Sequence, residues 1–354
     1  MSAKPMRTVL VTGAGGPGYP AIYKALHSST RFSYRIIGAE LNPLAGNLYR
    51  SDWVDAAYQV PPTLASDYFD CILDVIRREG VTFWYSAVDE ELPIIAANAA
   101  RLAEAGCGML LPPPEALEAS FDKGVTTRML SGKVPMPRTL LSSEVALEDA
   151  WTQLGAPMVV KACRTRGNRH NYRAHSLDEL KIQVAALESA GLDFLYQEQV
   201  DGEEFNVSLM MDANGNPLFS VARQKIDPPR TRANTFCGII RRDAVMEGHA
   251  VAVAREMKLF PGMNNVEFLR RRGGEPMVID VNGGRHAAQD FNIIASGVNF
   301  PEMLIDMAQG LPVSAPDPSR FREGTMTVKF VDDMAIHIDD LRAFCHGFDL
   351  KVEE

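Results

Sequence analysis

The chain has 354 residues, of which 46% are hydrophobic and 23% charged, with a net charge of −9. That length predicts two or three domains, and the acidic balance excludes a broad nucleic-acid surface, which would be basic. Five cysteines without a C-x-x-C pair exclude a disulfide framework or a zinc site of that kind.

The first segment, VLVTGAGGPGYPAIYKAL, runs a short apolar strand into Gly13-Ala14-Gly15-Gly16-Pro17-Gly18 and then a helical pattern. The glycine spacing matches a dinucleotide-binding fingerprint. Free N–H groups at a helix N-terminus equally suit another anion, such as a carboxylate, held by Gly15, Gly16 and Gly18. A purely structural turn is the third reading. Glu40 follows the second strand, where a ribose-binding acid would stand. This entry into the chain does not read as a signal peptide, and no apolar run approaches the roughly 18 residues of a membrane span. The expected location is the cytoplasm, with no membrane partner.

Strands at TVLVTG, RIIGAE, AAYQV, FWYSAV and GMLLP alternate with helices starting near Tyr19, Asp67 and Glu91. The alternation predicts a Rossmann-like parallel sheet over residues 1–113. Asp89 and Glu90 end the fourth strand at the edge where open α/β sheets bind ligands, and could hold a substrate ammonium. Alternatively they complement the dipole of the next helix. Pro114 suits a helix start.

From Phe121 the pattern changes to α+β. DKGVTTRMLSG predicts a short helix, SSEVALEDAWTQLG a Ser-capped one, PMVVKA a strand, and Ser176 to about Ala190 a further helix. Residues 195–225 read as a hairpin turning at Ala213 to Asn216. Arg223 and Lys225 close its second strand, and Arg230 and Arg232 follow in a basic loop.

NNVEFLRRRGGEPMVIDVNGG then places two apolar-rich strands around Gly273-Gly274, a two-residue hairpin signal. With that turn centre, Glu267 faces Asp280, and Asn282 lies two residues further along the same face. Val266, Phe268, Ile279 and Val281 take the buried face. Two opposed carboxylates repel unless a cation lies between them. With an amide oxygen beside them they form a hard donor set for Mg²⁺ or Mn²⁺. The alternative is an exposed acidic face neutralised by Arg270 to Arg272.

With these motifs in place, the chain resembles the ATP-grasp superfamily, in its carbamoyl-phosphate-synthetase-like and biotin-carboxylase-like branch. The resemblance implies a pre-ATP-grasp domain over 1–113, an ATP-grasp domain over 114–310 with its lid at about 125–194, and a C-terminal extension over 311–354. It implies ATP as cosubstrate. Lys123 of the Asp122-Lys123 pair and Lys161 ending PMVVK would contact the nucleotide. Glu198, Val200 and Glu204 of YQEQVDGEEFNV would bind adenine and ribose. Glu267, Asp280 and Asn282 would hold the metal, and Arg285, Arg223 and Lys225 would serve catalysis.

The sequence departs from the family pattern in four ways. Asp280 replaces a glutamate, and Gly283-Gly284 displaces Arg285 by one position. The lid loop RTRGNRHNY retains only Gly167. There is a single unit without a glutaminase segment.

The implied function is an ADP-forming carboxylate–amine ligase. It would activate a small-molecule carboxylate, an amino acid by expectation, as an acylphosphate for attack by an amine, in a chain that could form a homodimer. Bicarbonate or carbamate activation is the alternative within the family. Outside it stand a non-catalytic ATP-binding sensor and an NAD(P)-dependent oxidoreductase. The short-chain form of the oxidoreductase would need a Tyr-x-x-x-Lys pair, and none of the nine tyrosines provides one.

Overall fold

In a computed structural model, described for residues 4–165, 169–226, 237–329 and 334–350, the strands group into three sheets. The strands are β1 (Met6–Thr12), β2 (Ser33–Glu40), β3 (Ala56–Gln59), β4 (Phe83–Tyr85), β5 (Thr139–Leu141), β6 (Met158–Ala162), β7 (Asn171–Ala174) and β8 (Phe194–Glu198). They continue with β9 (Glu203–Met211), β10 (Pro217–Lys225), β11 (Cys237–Ile240), β12 (Gly262–Arg270), β13 (Pro276–Asn282), β14 (Met326–Val328) and β15 (Cys345–His346). The chain divides into two units. One comprises residues 1–114, 284–321 and 329–354, the other 115–283 and 322–328.

The first unit holds a parallel sheet in the order β15-β3-β2-β1-β4. Val9, Leu10, Val11, Ile36 and Ile37 are buried consecutively in β1 and β2, as in a sheet covered on both faces. The expected strand GMLLP contributes only a single bridge, Phe83 to Gly108. Pro112 to Pro114 follow directly, and their missing N–H groups cannot extend a ladder. FWYSAV stops at Tyr85 because Ser86 turns the chain: its hydroxyl donates to Glu91 and accepts from Val88 N–H.

The sequence reading ran the second domain to residue 310, whereas residues 284–321 cluster with the first unit. Helix Phe300–Ala308 carries the reason. Its Asp306 pairs at 2.8 Å with Arg7 of β1, and both side chains are nearly inaccessible. Arg31 adds a second cation to Asp306 and reaches Glu302.

The second unit holds two antiparallel sheets, β13-β12-β9-β10-β11-β14 and β5-β8-β6-β7. The six-stranded sheet packs Phe205, Val207, Leu209, Val266, Phe268 and Val278 against helix Ala244–Glu256. The four-stranded sheet packs Met158, Val160, Phe194 and Tyr196 with Leu180, Val184 and Leu187 of helix Leu177–Ser189. Each sheet thus uses one alternation for its core, and the other set of side chains points away from it.

Two local expectations change. Helix Leu147–Leu154 has Ala146 at its N-cap and no side-chain cap, because Ser142 instead bonds the Phe194 carbonyl. The hairpin β12–β13 closes through residues 271–275 rather than a two-residue turn. Pro276 lacks the N–H that would let pairing tighten toward the glycines. Gly273 adopts φ +69° there, and Gly274 N–H donates to the Arg271 carbonyl.

Candidate functional site

The face of the six-stranded sheet turned away from its apolar core is polar because β9, β10, β12 and β13 alternate in step. Register aligns Arg223, Asn206, Glu267 and Asp280 across four adjacent strands. One row further, Ser208, Asn265 and Asn282 align across three. The opposition of Glu267 and Asp280 is present, but a bulge produces it. Phe268 pairs with Val278, leaving Ile279 as the extra residue before Asp280 meets Glu267. Val278 therefore fills the core position expected for Ile279, which is only half-buried. The bulge absorbs the one-residue offset of the longer turn and returns both carboxylates to one face.

Cations surround this pair. Lys225 Nζ lies 2.8 Å from Glu267 and 3.9 Å from Glu204. Burial works to lower the Lys225 pKa, but Glu267, Glu204 and Asp280 outweigh it and hold it above the usual lysine range. Lys123 Nζ stands 3.4 Å from Asp280 and donates to the Thr165 carbonyl at 3.1 Å. Asp122 caps the helix Lys123–Leu130 through Gly124 and Val125 N–H and so fixes where Lys123 starts. Its other oxygen takes Arg164 at 3.0 Å.

Lys161 projects from β6 on the face opposite the Met158–Val160 core. Its ammonium donates to Gln197 Oε1 at 2.8 Å. Burial lowers its pKa, Asp280 opposes that, and Lys123 adds to the lowering. Gln197 escaped the sequence reading. The alternation of β8, with Phe194 and Tyr196 in the core, was the signal that could have found it.

Glu198 is held at one end of β8, where its carboxylate accepts from Arg138 N–H at 3.1 Å and Arg138 Nε at 3.2 Å. Val200 is buried, and Glu204 is exposed. Arg223 is fully buried and donates to the Ser208 hydroxyl. Gly167, with Arg166, Arg230 and Arg232, lies outside the described residues.

The remaining candidates belong to the first unit. Arg285 forms an ion pair with Asp89 through Nε, and Nη2 donates to Asp89 Oδ2 at 3.4 Å. Glu90 immediately precedes helix Glu91–Ala97 as its N-cap, without a side-chain cap bond. The glycine loop already holds a carboxylate from its own chain: Gly15 N–H donates to Glu40 Oε2 at 2.9 Å, and Glu40 Oε1 accepts from Leu41 N–H. Gly16 N–H closes back onto the Gly13 carbonyl. A Cβ at Gly18 would lie 2.8 Å from His286 Nε2. The sequence reading passed over His286. It is buried, bonds Tyr85 at 2.8 Å, and its pKa falls to about 4 because burial disfavours the cation and Arg285 and Lys329 repel it.

Among the described residues, no group of three or more His, Cys, Asp or Glu is arranged for a metal ion. The candidate donor set is different in kind: two opposed carboxylates and the Asn282 amide. Its chemistry fits a hard divalent cation, because all three groups offer oxygen donors, and Lys225 and Lys123 stand against the two acids.

Comparisons with known proteins match residues 120–286 to an ATP-grasp domain and residues 9–110 to a PylC-like N-terminal domain. Over 195 residues the chain is 25% identical to the carbamoyl phosphate synthase large chain of Methanothermobacter thermautotrophicus, covering 52% of this chain and 18% of that protein. It thus spans under a fifth of that relative's length. The L-amino acid ligase of Bacillus licheniformis superposes with a TM-score of 0.66 at 16% identity, covering 91% of this chain and 78% of the other. The biotin carboxylase domain of Hydrogenobacter thermophilus 2-oxoglutarate carboxylase, solved with MgADP and bicarbonate, superposes with a TM-score of 0.67 at 18% identity. That alignment covers 90% and 73% of the two chains.

Proposed function

Since the chain belongs to the ATP-grasp superfamily, with a PylC-like N-terminal domain ahead of its ATP-grasp domain, we propose that it is an ADP-forming ligase. It uses ATP and Mg²⁺ to join a small-molecule carboxylate to an amine. The observation that carries this reading is the in-register pair Glu267–Asp280 with Lys225 and Lys123 against it.

Glu267, Asp280 and Asn282 would hold Mg²⁺ through oxygen. Bound there, Mg²⁺ would supply charge to offset that on the transferring phosphoryl group. Lys123 and Lys161 orient the phosphates by charge-assisted hydrogen bonds. Arg223 and Lys225, on β10 and separated from Glu267 by β9, would offset charge developing on the acylphosphate oxygens. An amine then displaces phosphate from the activated carboxylate. The amine must arrive unprotonated, and the proton it sheds on forming the amide leaves with the phosphate, so no side chain needs to act as a strong general base. The superposition on an L-amino acid ligase supports amino acids as the substrate class. The carbamoyl phosphate synthase relationship favours bicarbonate or carbamate activation as the second reading.

The test is an ADP-release screen with paired pools of amino acids, hydroxy acids and bicarbonate, followed by mass spectrometry of products. ADP release that requires both a carboxylate and an amine, with a condensed product, supports the ligase. ATP binding without carboxylate-dependent ADP release refutes it in favour of a sensor.

A further inference from the structure

We propose that Gln197 is a positioning residue for Lys161, holding its ammonium with a neutral acceptor so that the charge stays available to a bound nucleotide's phosphates. The inference rests on the reading of Lys161 as a phosphate contact. Lys123, at the start of its helix, and Lys161 and Lys225, on β6 and β10, are treated differently by their surroundings. Lys225 is matched to Glu267 and Lys123 to Asp280, each an acid. Lys161 instead donates to an amide oxygen at 2.8 Å.

Register explains how the two side chains meet. Lys161 pairs with Leu195, and Gln197 pairs with Val159, so Lys161 and Gln197 are diagonal neighbours on adjacent strands. Diagonal neighbours on one face are within reach of long side chains. Both strands turn their alternate residues into the opposite core, so this face is where the two polar chains must lie.

The orientation of the amide is also fixed. The Thr139 hydroxyl spends its single proton on the Pro137 carbonyl at 2.9 Å. It can therefore only accept from Gln197, and does so from Nε2 at 2.9 Å. With Nε2 committed to Thr139, Oε1 must face Lys161. Pro137, Thr139, Gln197 and Lys161 form a chain in which every donor and acceptor role is determined. Gln197 is itself buried, with 5% of its surface exposed, so solvent cannot replace it.

A carboxylate in this place would also orient the lysine, but it would neutralise it. The polarity of the amide thus has a consequence for ligand binding. Burial disfavours the Lys161 cation and Asp280 partly offsets that, but the group in hydrogen-bond contact with it is an amide, so an approaching phosphate would meet an ammonium not already paired with an acid.

The experiment is a double-mutant cycle read by calorimetry, with a non-hydrolysable ATP analogue and Mg²⁺ titrated into the full chain. Gln197→Met keeps the shape and removes the acceptor. It is expected to weaken binding about tenfold in the wild-type background, as loss of one hydrogen bond to a charged group would. In a Lys161→Ala background the same change is expected to alter binding by less than about twofold, because partners acting through one another are not additive. Gln197→Glu is expected to weaken binding as well, by pairing the lysine.

Equal losses from Gln197→Met in both backgrounds would mean a merely structural side chain and overturn the proposal. So would unchanged affinity in Gln197→Met and Gln197→Glu when Lys161→Ala alone loses binding, an outcome that leaves the ATP-grasp reading intact. Unchanged affinity in Lys161→Ala would instead refute the phosphate-contact reading on which the proposal stands. Thr139→Val, which frees the far end of the amide, covers the case in which Gln197→Met does not fold. It is expected to weaken binding by a few-fold in wild type and not in Lys161→Ala, and a loss of the same size in both backgrounds would count against the proposal.

Discussion

Glu267→Gln separates a metal-binding face from a structural ion-pair face. The substitution keeps the shape of the side chain and removes one charge. Three consequences for folding can be sized. Attraction to Lys225 at 2.8 Å is about 6 kcal/mol at an effective dielectric of about 20. Repulsion from Asp280, directly opposite at a cross-strand spacing of roughly 5 Å, is about 3 kcal/mol on the same scale. The cost of withdrawing the carboxylate from water, several kcal/mol, disappears with the charge. The loss and the two gains nearly cancel, so stability is expected to change by no more than ~1 kcal/mol. Turnover is expected to fall at least ~100-fold, because a preorganised electrostatic contact to the reacting phosphates is lost. The assay pairs Mg²⁺-dependent ADP release with thermal unfolding of the same preparation. Wild-type turnover in folded Glu267→Gln would refute the metal assignment, and a large drop in melting temperature would show that the charges serve the fold.

Asp280→Asn and Asn282→Ala are expected to lose most turnover while remaining folded, as judged by steady-state rates and circular dichroism. Lys123→Ala is expected to weaken ATP binding about tenfold, measured by calorimetry. His286 gives a pH dependence with a definite sign. Its folded pKa of about 4 lies below the ordinary value of 6.5, so the unfolded chain binds more protons between those values. Its contribution is complete above about pH 6.5 and declines toward pH 4, by roughly 3 kcal/mol in all. Urea unfolding across that range should show the slope, and His286→Phe should reduce it. Asp306→Asn is expected to destabilise the first unit by about 3 kcal/mol, since it leaves Arg7 buried beside a neutral group. A change under 1 kcal/mol in chemical denaturation would contradict that.

The sequence made the polar face readable because strand alternation is a local rule. Asp280 and Asn282 could be placed on one side from their spacing, whereas Glu267 joins them only through the bulge. The bulge at Ile279 could not be read, since it depends on how the turn beyond Pro276 closes. Gln197 looked like one polar residue in a polar hinge. Its meaning lies in Lys161 and Thr139, which are neighbours only across strands. Glu40 was visible as an acid in the right place, but whether a ligand or Gly15 N–H would take it depended on the path of residues 41–45. His286 follows Arg285 in the chain, and nothing in its immediate neighbours announces Tyr85 or Gly18.

The return of residues 284–321 to the first unit, and of β15 after them, has a consequence for how this protein is made. A fragment ending at residue 114 would lack Asp306, the partner of Arg7, and the edge strand that pairs with β3. The unit is therefore not a stretch of chain that can be cut out, and a contiguous expression fragment should emerge with a buried arginine exposed to misassembly. During synthesis, which delivers the N-terminal segments first, β1 to β4 must wait for residues 300–308 before Arg7 is neutralised and for 345–346 before the sheet edge is covered. A circular permutant that joins those segments to the N-terminal sheet would be the way to obtain the unit alone.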